Sequence, residues 1–505
     1  MSTIYRSLSS PPLLLILVWC AILIGIVVGP IEYPLQPSKP VLVILLVGIG
    51  LFIVAYGVGV RTAGLSFGSG SSKPTKTRAL DIAVSATAIV GVTGIALIAV
   101  DRTILSGVSN GGYSELLRCA PALVEMLEIK RGPLLYIGYL MFSFGFVSLT
   151  LFHLRGEEIK GWPAILGQLS IVSPIGYAVL YSGRMPILLL ISLGGAAGLV
   201  RLGSGRPIFP RGHRLLLKSI VAILLFALYS NAIWARRQNF CVQMGGLIRE
   251  LTAKIDTGTP SKVRRSAEAI SAADLSAQIQ DRLASQQESN SSKPTEALSS
   301  SILAIMEEAW RVRPRHYVLS AIQAGYLSER AALGLLSSWF YLTHGVRILD
   351  LTWQARSDFS PLYGVYEIGV LSPILRVFFP QNQLLASMKA QLNDAEIYGF
   401  FPSVWGAAYI DFGASGAVLY IFLWGVAAGW SAFGARRTDR ITPSLVLSFT
   451  LATILLSPIQ GPLGIANSAL VLLSMIITGI AVDVSNSSSM FRPWTSKRAL
   501  DAPAT

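Results

Sequence analysis

Charge is what this chain has least of. Only 13% of its 505 residues are Asp, Glu, Lys or Arg, against roughly 25% in an ordinary soluble domain. A 52% hydrophobic composition with so little charge excludes a soluble globule. Cysteine is nearly absent too: three residues cannot build a disulfide framework, and no zinc-type spacing joins them. Four histidines are equally few. An outer metal site would have to recruit His316 and His344 with distant carboxylates, so none is expected. The chain also has no Asp-x-Asp pair to hold a cation beside a phosphate and no P-loop, so neither metal- nor nucleotide-driven chemistry is expected and no cofactor is assigned.

What is present is a series of apolar runs of about 20 residues, the length of a helix crossing a hydrocarbon core of about 30 Å. They fall near 11–29, 41–60, 79–100, 133–154, 163–181, 185–200, 217–235, 413–434, 442–458 and 464–483. The expected fold class is therefore an all-α polytopic membrane protein of about ten transmembrane helices. The first run lacks a small-residue cleavage site and is read as a retained helix.

The net charge of +14 could suggest a nucleic-acid partner, but the basic residues lie between apolar runs and form no single face. With a cytoplasmic N-terminus, eighteen basic residues fall in inside segments and six in the short outside loops. That asymmetry orients the chain with both termini cytoplasmic, and the inside excess suits an anionic inner leaflet. The organisation expected is a seven-helix region 1–235, a large outer loop 236–402 and a three-helix region with tail 403–505. Within the loop, Leu275, Ile279 and Leu283 mark an amphipathic helix and 286–301 reads as a linker. Short helices are expected at 302–310, 317–326, 331–343 and 365–379. Cys119 and Cys241 share the outer side and could be disulfide-bonded.

Four clusters on the outer side carry candidate chemistry. Arg184 stands in the turn Ser182-Gly183-Arg184-Met185-Pro186, on the side poor in arginine, where a guanidinium fork could hold a phosphate or simply snorkel. Arg311, Arg313 and Arg315 alternate beside Glu307 and Glu308 and could equally form a solvated face. His344 and Arg347 are three apart, so a helix would place them on one face, with Asp350 and Arg376 downstream. Asp411 lies at the outer entry to the 413–434 run, where it could serve as a site or as a helix cap.

The turn Ser182-Gly183-Arg184, the regions Tyr341 to Gly345 and Pro361 to Gly364, and Tyr409-Ile410-Asp411-Phe412-Gly413 with Gly416 and Gly425 resemble Wzy-type oligosaccharide repeat-unit polymerases, the O-antigen polymerases of bacterial surface polysaccharides. The ten-span layout with one large loop before the last spans adds to the likeness. Where such proteins carry an Asn-Val-Tyr-Thr-like stretch, this chain has Phe401-Pro402-Ser403-Val404-Trp405.

The resemblance implies a metal-independent glycosyltransferase in the bacterial inner membrane with a periplasmic active site. A glycan would leave undecaprenyl pyrophosphate for a hydroxyl of the next lipid-linked repeat unit, alongside a chain-length regulator and a flippase. Arg184, Arg347, Arg376, Arg313 and Arg315 are then candidates for the pyrophosphate. Asp411, Asp350, His344 and Glu367 are candidates for the general base. Trp310, Trp339, Tyr341, Trp353 and Tyr363 could face sugars or pack apolar surface. An O-antigen ligase shares the donor and stays open, as does a flippase or other transporter. Against the transporter stands the near absence of charge within the spans.

Overall fold

A computed structural model describes residues 9–34, 37–67, 77–105, 132–181, 183–210, 310–379 and 383–488 and a few isolated positions. The expected span at 217–235, the 266–287 helix, the 286–301 linker, Cys119 and Cys241 lie outside the described residues. Those described are overwhelmingly helical: α1 (Pro11–Val28), α2 (Lys39–Phe67), α3 (Thr77–Val100), α4 (Pro133–Arg155), α5 (Trp162–Leu169), α6 (Val172–Leu180), α7 (Met185–Gly203), α8 (His316–Gln323), α9 (Glu329–Gln354), α10 (Leu371–Phe378), α11 (Leu384–Asp394), α12 (Ser403–Arg437), α13 (Ile441–Leu456) and α14 (Ser468–Ser488). Counting α5 and α6 as one span, eight stretches among the described residues are long and apolar enough to cross a membrane, and α13 is a shorter apolar helix. The chain is an all-α polytopic membrane protein.

In hydrocarbon, helices gain little from burying apolar side chains against one another, so close backbone approach through small residues must hold them. The parallel pair α2 and α12 shows this. A Cβ at Gly59 would collide with the Val426 carbonyl oxygen, and one at Gly429 with the Tyr56 carbonyl oxygen. The outward faces remain apolar, as at Leu46, Leu65 and Leu419.

Helix α12 begins ten residues before the expected 413–434 run and is two helices rather than one. Gly413 breaks it with φ 65° and ψ −171°, a conformation reserved for glycine. Trp405 packs on Gly48 of α2, while Trp424 meets Phe52 with ring centroids 4.8 Å apart. Positions 48 and 52 are one turn apart, about 6 Å, whereas 405 and 424 on a straight helix would be about 28 Å apart. The chain therefore folds back at Gly413, and Ser403 to Phe412 form a half-helix beside the main one. Its first residues are held by the connection after α13: Ser403 N–H donates to the Ile459 carbonyl at 3.1 Å and Val404 N–H to that of Ser457 at 2.9 Å.

Loop helices lie against this end of the bundle. Of the expected loop helices, most of 302–310 lies outside the described residues and 365–379 shortens to α10; α11 is unexpected, and 331–343 runs on as α9 to Gln354. Ser328 caps it, its Oγ accepting the Ala331 N–H at 3.3 Å. Three contacts strap it along the α1–α2 connection. Trp339 Nε1 donates to the Gly25 carbonyl at 3.2 Å, Tyr33 Oη and Thr343 Oγ1 are 2.7 Å apart, and Asp350 accepts from Ser38. A two-residue antiparallel pair, β1 (Ile31–Glu32) with β2 (Arg313–Pro314), completes the strap.

Candidate functional site

Helix α9 carries the site because its two sides do different things. On one side a cavity of about 290 Å³ is lined by Trp310, Arg311, Phe340, His344, Arg347, Ile348, Leu351, Glu396 and Phe400. Three rings stack along it: Trp310 on Phe340 at 4.7 Å and 8°, and Phe340 on His344 at 5.0 Å and 18°. Aromatic faces next to charge suit an amphipathic ring such as a sugar. Arg311 and Glu396 form an ion pair at 2.6 Å. Both residues hold left-handed backbone, φ 52° and 58°, a strain that concentrates where function requires a particular side-chain placement.

Arg347 and His344 share this cavity, as their spacing predicts. Arg347 Nη1 donates to the carbonyls of Trp310 and Arg311 at 2.7 and 2.8 Å, so one corner of its guanidinium fixes the 310–311 turn. Burial lowers its pKa from the ordinary arginine value. His344 is 1% exposed, with Nδ1 2.9 Å from the Phe340 carbonyl and Nε2 accepting the Phe401 N–H at 3.3 Å. The carbonyl requires Nδ1 to carry the proton, which leaves Nε2 as acceptor. Burial holds the ring neutral, with its pKa pushed down to about 4. Both nitrogens are engaged, so His344 sets the Phe400–Phe401 turn. Arg184 stands at the start of α7: its guanidinium carbon lies 5.8 Å from the Tyr341 ring centroid, and Tyr341 packs edge-on to His344.

The other side of α9 faces an apolar cavity of about 230 Å³ between α2 and both halves of α12, bounded by Val43, Val47, Gly48, Leu349, Trp353, Trp405, Ala414, Ala417 and Ile421 among others. Its lining is almost free of polar groups.

The remaining candidates lie elsewhere. Asp350 Oδ1 accepts the Ser38 hydroxyl at 2.7 Å and the Gln354 amide at 3.3 Å, while Oδ2 accepts the Ser38 N–H at 3.0 Å. It thus secures the N-terminus of α2. Arg315 Nη2 donates to the carbonyls of Val27 and Ile26 at 2.5 and 3.3 Å, which caps the C-terminus of α1. Arg313 is exposed on β2 opposite Glu32. Arg376 lies on α10, and its side chain lies outside the described residues.

Asp411 does not cap the start of its own helix. Its carboxylate reaches across the break and accepts the N–H groups of Tyr366 at 2.9 Å and Glu367 at 2.6 Å. Glu367 is fully buried: its Oε1 accepts the Tyr420 hydroxyl at 2.8 Å and the Leu463 N–H at 3.0 Å. Burial first, then the neighbouring Asp411, pushes its pKa up to about 7. Tyr366 links this carboxylate pair to the first cavity, since its hydroxyl donates to the Phe400 carbonyl at 3.3 Å.

The structure thus sets His344 and Arg347 on one cavity, leaves Arg184 outside its lining on the far side of Tyr341, sets Glu367 and Asp411 behind Phe400, and sends Asp350, Arg313 and Arg315 to the α1–α2 connection. Sequence reasoning missed Glu396 altogether. Arg311 was visible only as one member of an arginine cluster, and no local pattern marks either residue as left-handed. Comparison of the chain with protein-family models, characterised proteins and solved structures finds no match.

Proposed function

We propose that this protein is a glycosyltransferase that polymerises lipid-linked oligosaccharide repeat units, acting at the end of the bundle where α9 lies. One observation carries the reading: a charged, aromatic cavity and an apolar cavity flank the same helix, which suits a substrate that is saccharide at one end and hydrocarbon at the other. Undecaprenyl-pyrophosphate-linked glycan is such a molecule.

In this reading the growing glycan's anomeric carbon–oxygen bond to pyrophosphate breaks, and a new bond forms to an acceptor hydroxyl of the next repeat unit. Arg347, Arg311 and Arg184 stabilise the departing pyrophosphate through guanidinium groups that keep their charge. The acceptor proton passes to Glu396, which is 57% exposed and lines the cavity. His344 and Asp350, with their hydrogen-bonding atoms engaged, position the cavity wall and α9. Arg313, Arg315 and Arg376 take no part in this scheme. Glu367 and Asp411 hold the Pro361 to Glu367 segment on the helix break. The charge asymmetry supports an outward-facing position for this end; in this reading that is the periplasmic face of a bacterial inner membrane, where a flippase would supply substrate and a chain-length regulator could act.

A second reading has one observation in its favour. Interrupted helices with ionisable residues are a mark of transporters, and α12 is broken at Gly413 beside Asp411. This weakens the sequence argument against a lipid-linked glycan flippase. The purified protein in liposomes, given undecaprenyl-pyrophosphate repeat units and, in a parallel reaction, undecaprenyl-pyrophosphate-linked long chains with lipid A core, decides between them. A ladder of longer glycans supports polymerisation, transfer of a single unit across the bilayer without growth supports transport, and transfer of finished chains to a lipid A core supports a ligase.

A further inference from the structure

At the opposite end of the bundle, α2 and α12 finish together. Phe67, Trp430 and Phe433 form a ring cluster there, with Phe67 and Phe433 stacked at 6.5 Å and Phe67 and Trp430 at 5.3 Å. Two exposed arginines lie on it: the Arg437 guanidinium is 5.8 Å from the Phe433 centroid, and that of Arg440 is 5.4 Å from Phe67. Rings beneath a guanidinium limit its freedom and leave its N–H edge outward, so little ordering remains to be done when an anion arrives.

Nearby carboxylates are committed elsewhere. Asp439, between the two arginines, pairs with Arg155. Glu158 pairs with Arg155 at 2.9 Å and Arg206 at 3.0 Å, and Glu157 pairs with the buried Arg201. Asp483 caps α13, accepting the N–H groups of Ile441 and Thr442 at 2.8 and 3.1 Å. Among the described residues, neither Arg437 nor Arg440 has a carboxylate partner. Two guanidiniums are thus presented at the rim of an apolar bundle, next to lipid-facing positions such as Leu65, 88% exposed. An anion there needs a phosphate for the arginines and hydrocarbon for the helix faces.

We infer that Arg437 and Arg440 on their aromatic cluster form a binding site for the phosphodiester headgroup of an anionic phospholipid. The site is separate from the α9 cavities and does not depend on their chemistry.

The test uses the full-length protein in a neutral detergent, with phosphatidylglycerol retention read by native mass spectrometry against phosphatidylcholine. Wild type should prefer phosphatidylglycerol, and R437Q/R440Q should lose roughly tenfold to thirtyfold in that affinity, at about fivefold or less for each basic residue at a membrane surface. R437K/R440K keeps the charge but loses the planar fork, and should bind with intermediate affinity; it stands in if the glutamine variant fails to fold. Millimolar inorganic phosphate should not displace the lipid. Undiminished phosphatidylglycerol binding in either variant overturns the proposal, and displacement by phosphate alone would make this a soluble-phosphate site instead.

Discussion

Arg311 and Glu396 meet at 2.6 Å from opposite segments of the cavity wall, and each holds a backbone conformation that L-residues avoid. Both side chains are more than half exposed, so the pair itself adds little stability. If the pair is there for chemistry, Glu396→Gln should lower glycan chain growth about 10²-fold to 10⁴-fold, with protein abundance and melting temperature unchanged. Glu396→Gly, which relaxes the left-handed backbone, should be equally inactive and no less stable. Chain growth at normal rate in either variant would remove Glu396 from the mechanism.

Asp350 should behave differently. Asp350→Ala leaves the Ser38 N–H and hydroxyl without their acceptor at the start of α2, which costs about 1–3 kcal/mol when such groups are buried. A lowered melting temperature in detergent is expected, with activity per folded molecule reduced much less. A large activity loss at unchanged stability would return Asp350 to the catalytic candidates.

His344 makes stability depend on pH. Its folded pKa of about 4 lies below the ordinary 6.5, so the unfolded chain binds the extra proton between those values. The contribution of His344 is complete above about pH 6.5 and declines as pH falls toward 4, by roughly 1.4 kcal/mol per unit within that window. Thermal melts from pH 7.5 to 4.5 should show this decline, and His344→Gln should flatten it. An activity profile whose acid limb vanishes in His344→Gln, without the stability change, would instead make the ring a base.

In the proposed scheme Arg184→Ala should abolish polymer while leaving the protein at normal abundance; the Tyr341 contact it gives up contributes about 0.5–1 kcal/mol. Arg184→Lys should recover little, since an ammonium lacks the planar fork. Surface glycan would then collapse to single repeat units. Long chains persisting in Arg184→Ala cells would leave this arginine an interfacial anchor.

Topology has its own check. Alkaline phosphatase fused after residue 290 should be active and fused after residue 208 inactive. The reverse pattern would put the α9 cavities on the cytoplasmic side.

Much of the architecture is legible in the sequence because hydrocarbon is an exacting solvent: a chain crossing it must be helical and apolar for about 20 residues, a local property visible one segment at a time. Spans 11–29, 133–154 and 185–200 match α1, α4 and α7 closely for this reason. The shared helical face of His344 and Arg347 is local as well and holds. The helix break was less legible, since Gly413 is one glycine among 46 and its φ is decided by what packs on either side.

Spacing could not tell which ionisable groups face a cavity and which serve the scaffold. Asp350 and Arg315 look like site residues in sequence, yet their partners Ser38 and Val27 lie 312 and 288 positions away. His344 is engaged from Phe401, 57 positions on. Glu396 looks like nothing in particular until Arg311 is set opposite it. Local periodicity therefore determined the membrane class and the helices, because each segment answers alone to the lipid. Tertiary structure alone decided the site, because a buried polar group takes whatever partner folding brings within hydrogen-bond reach.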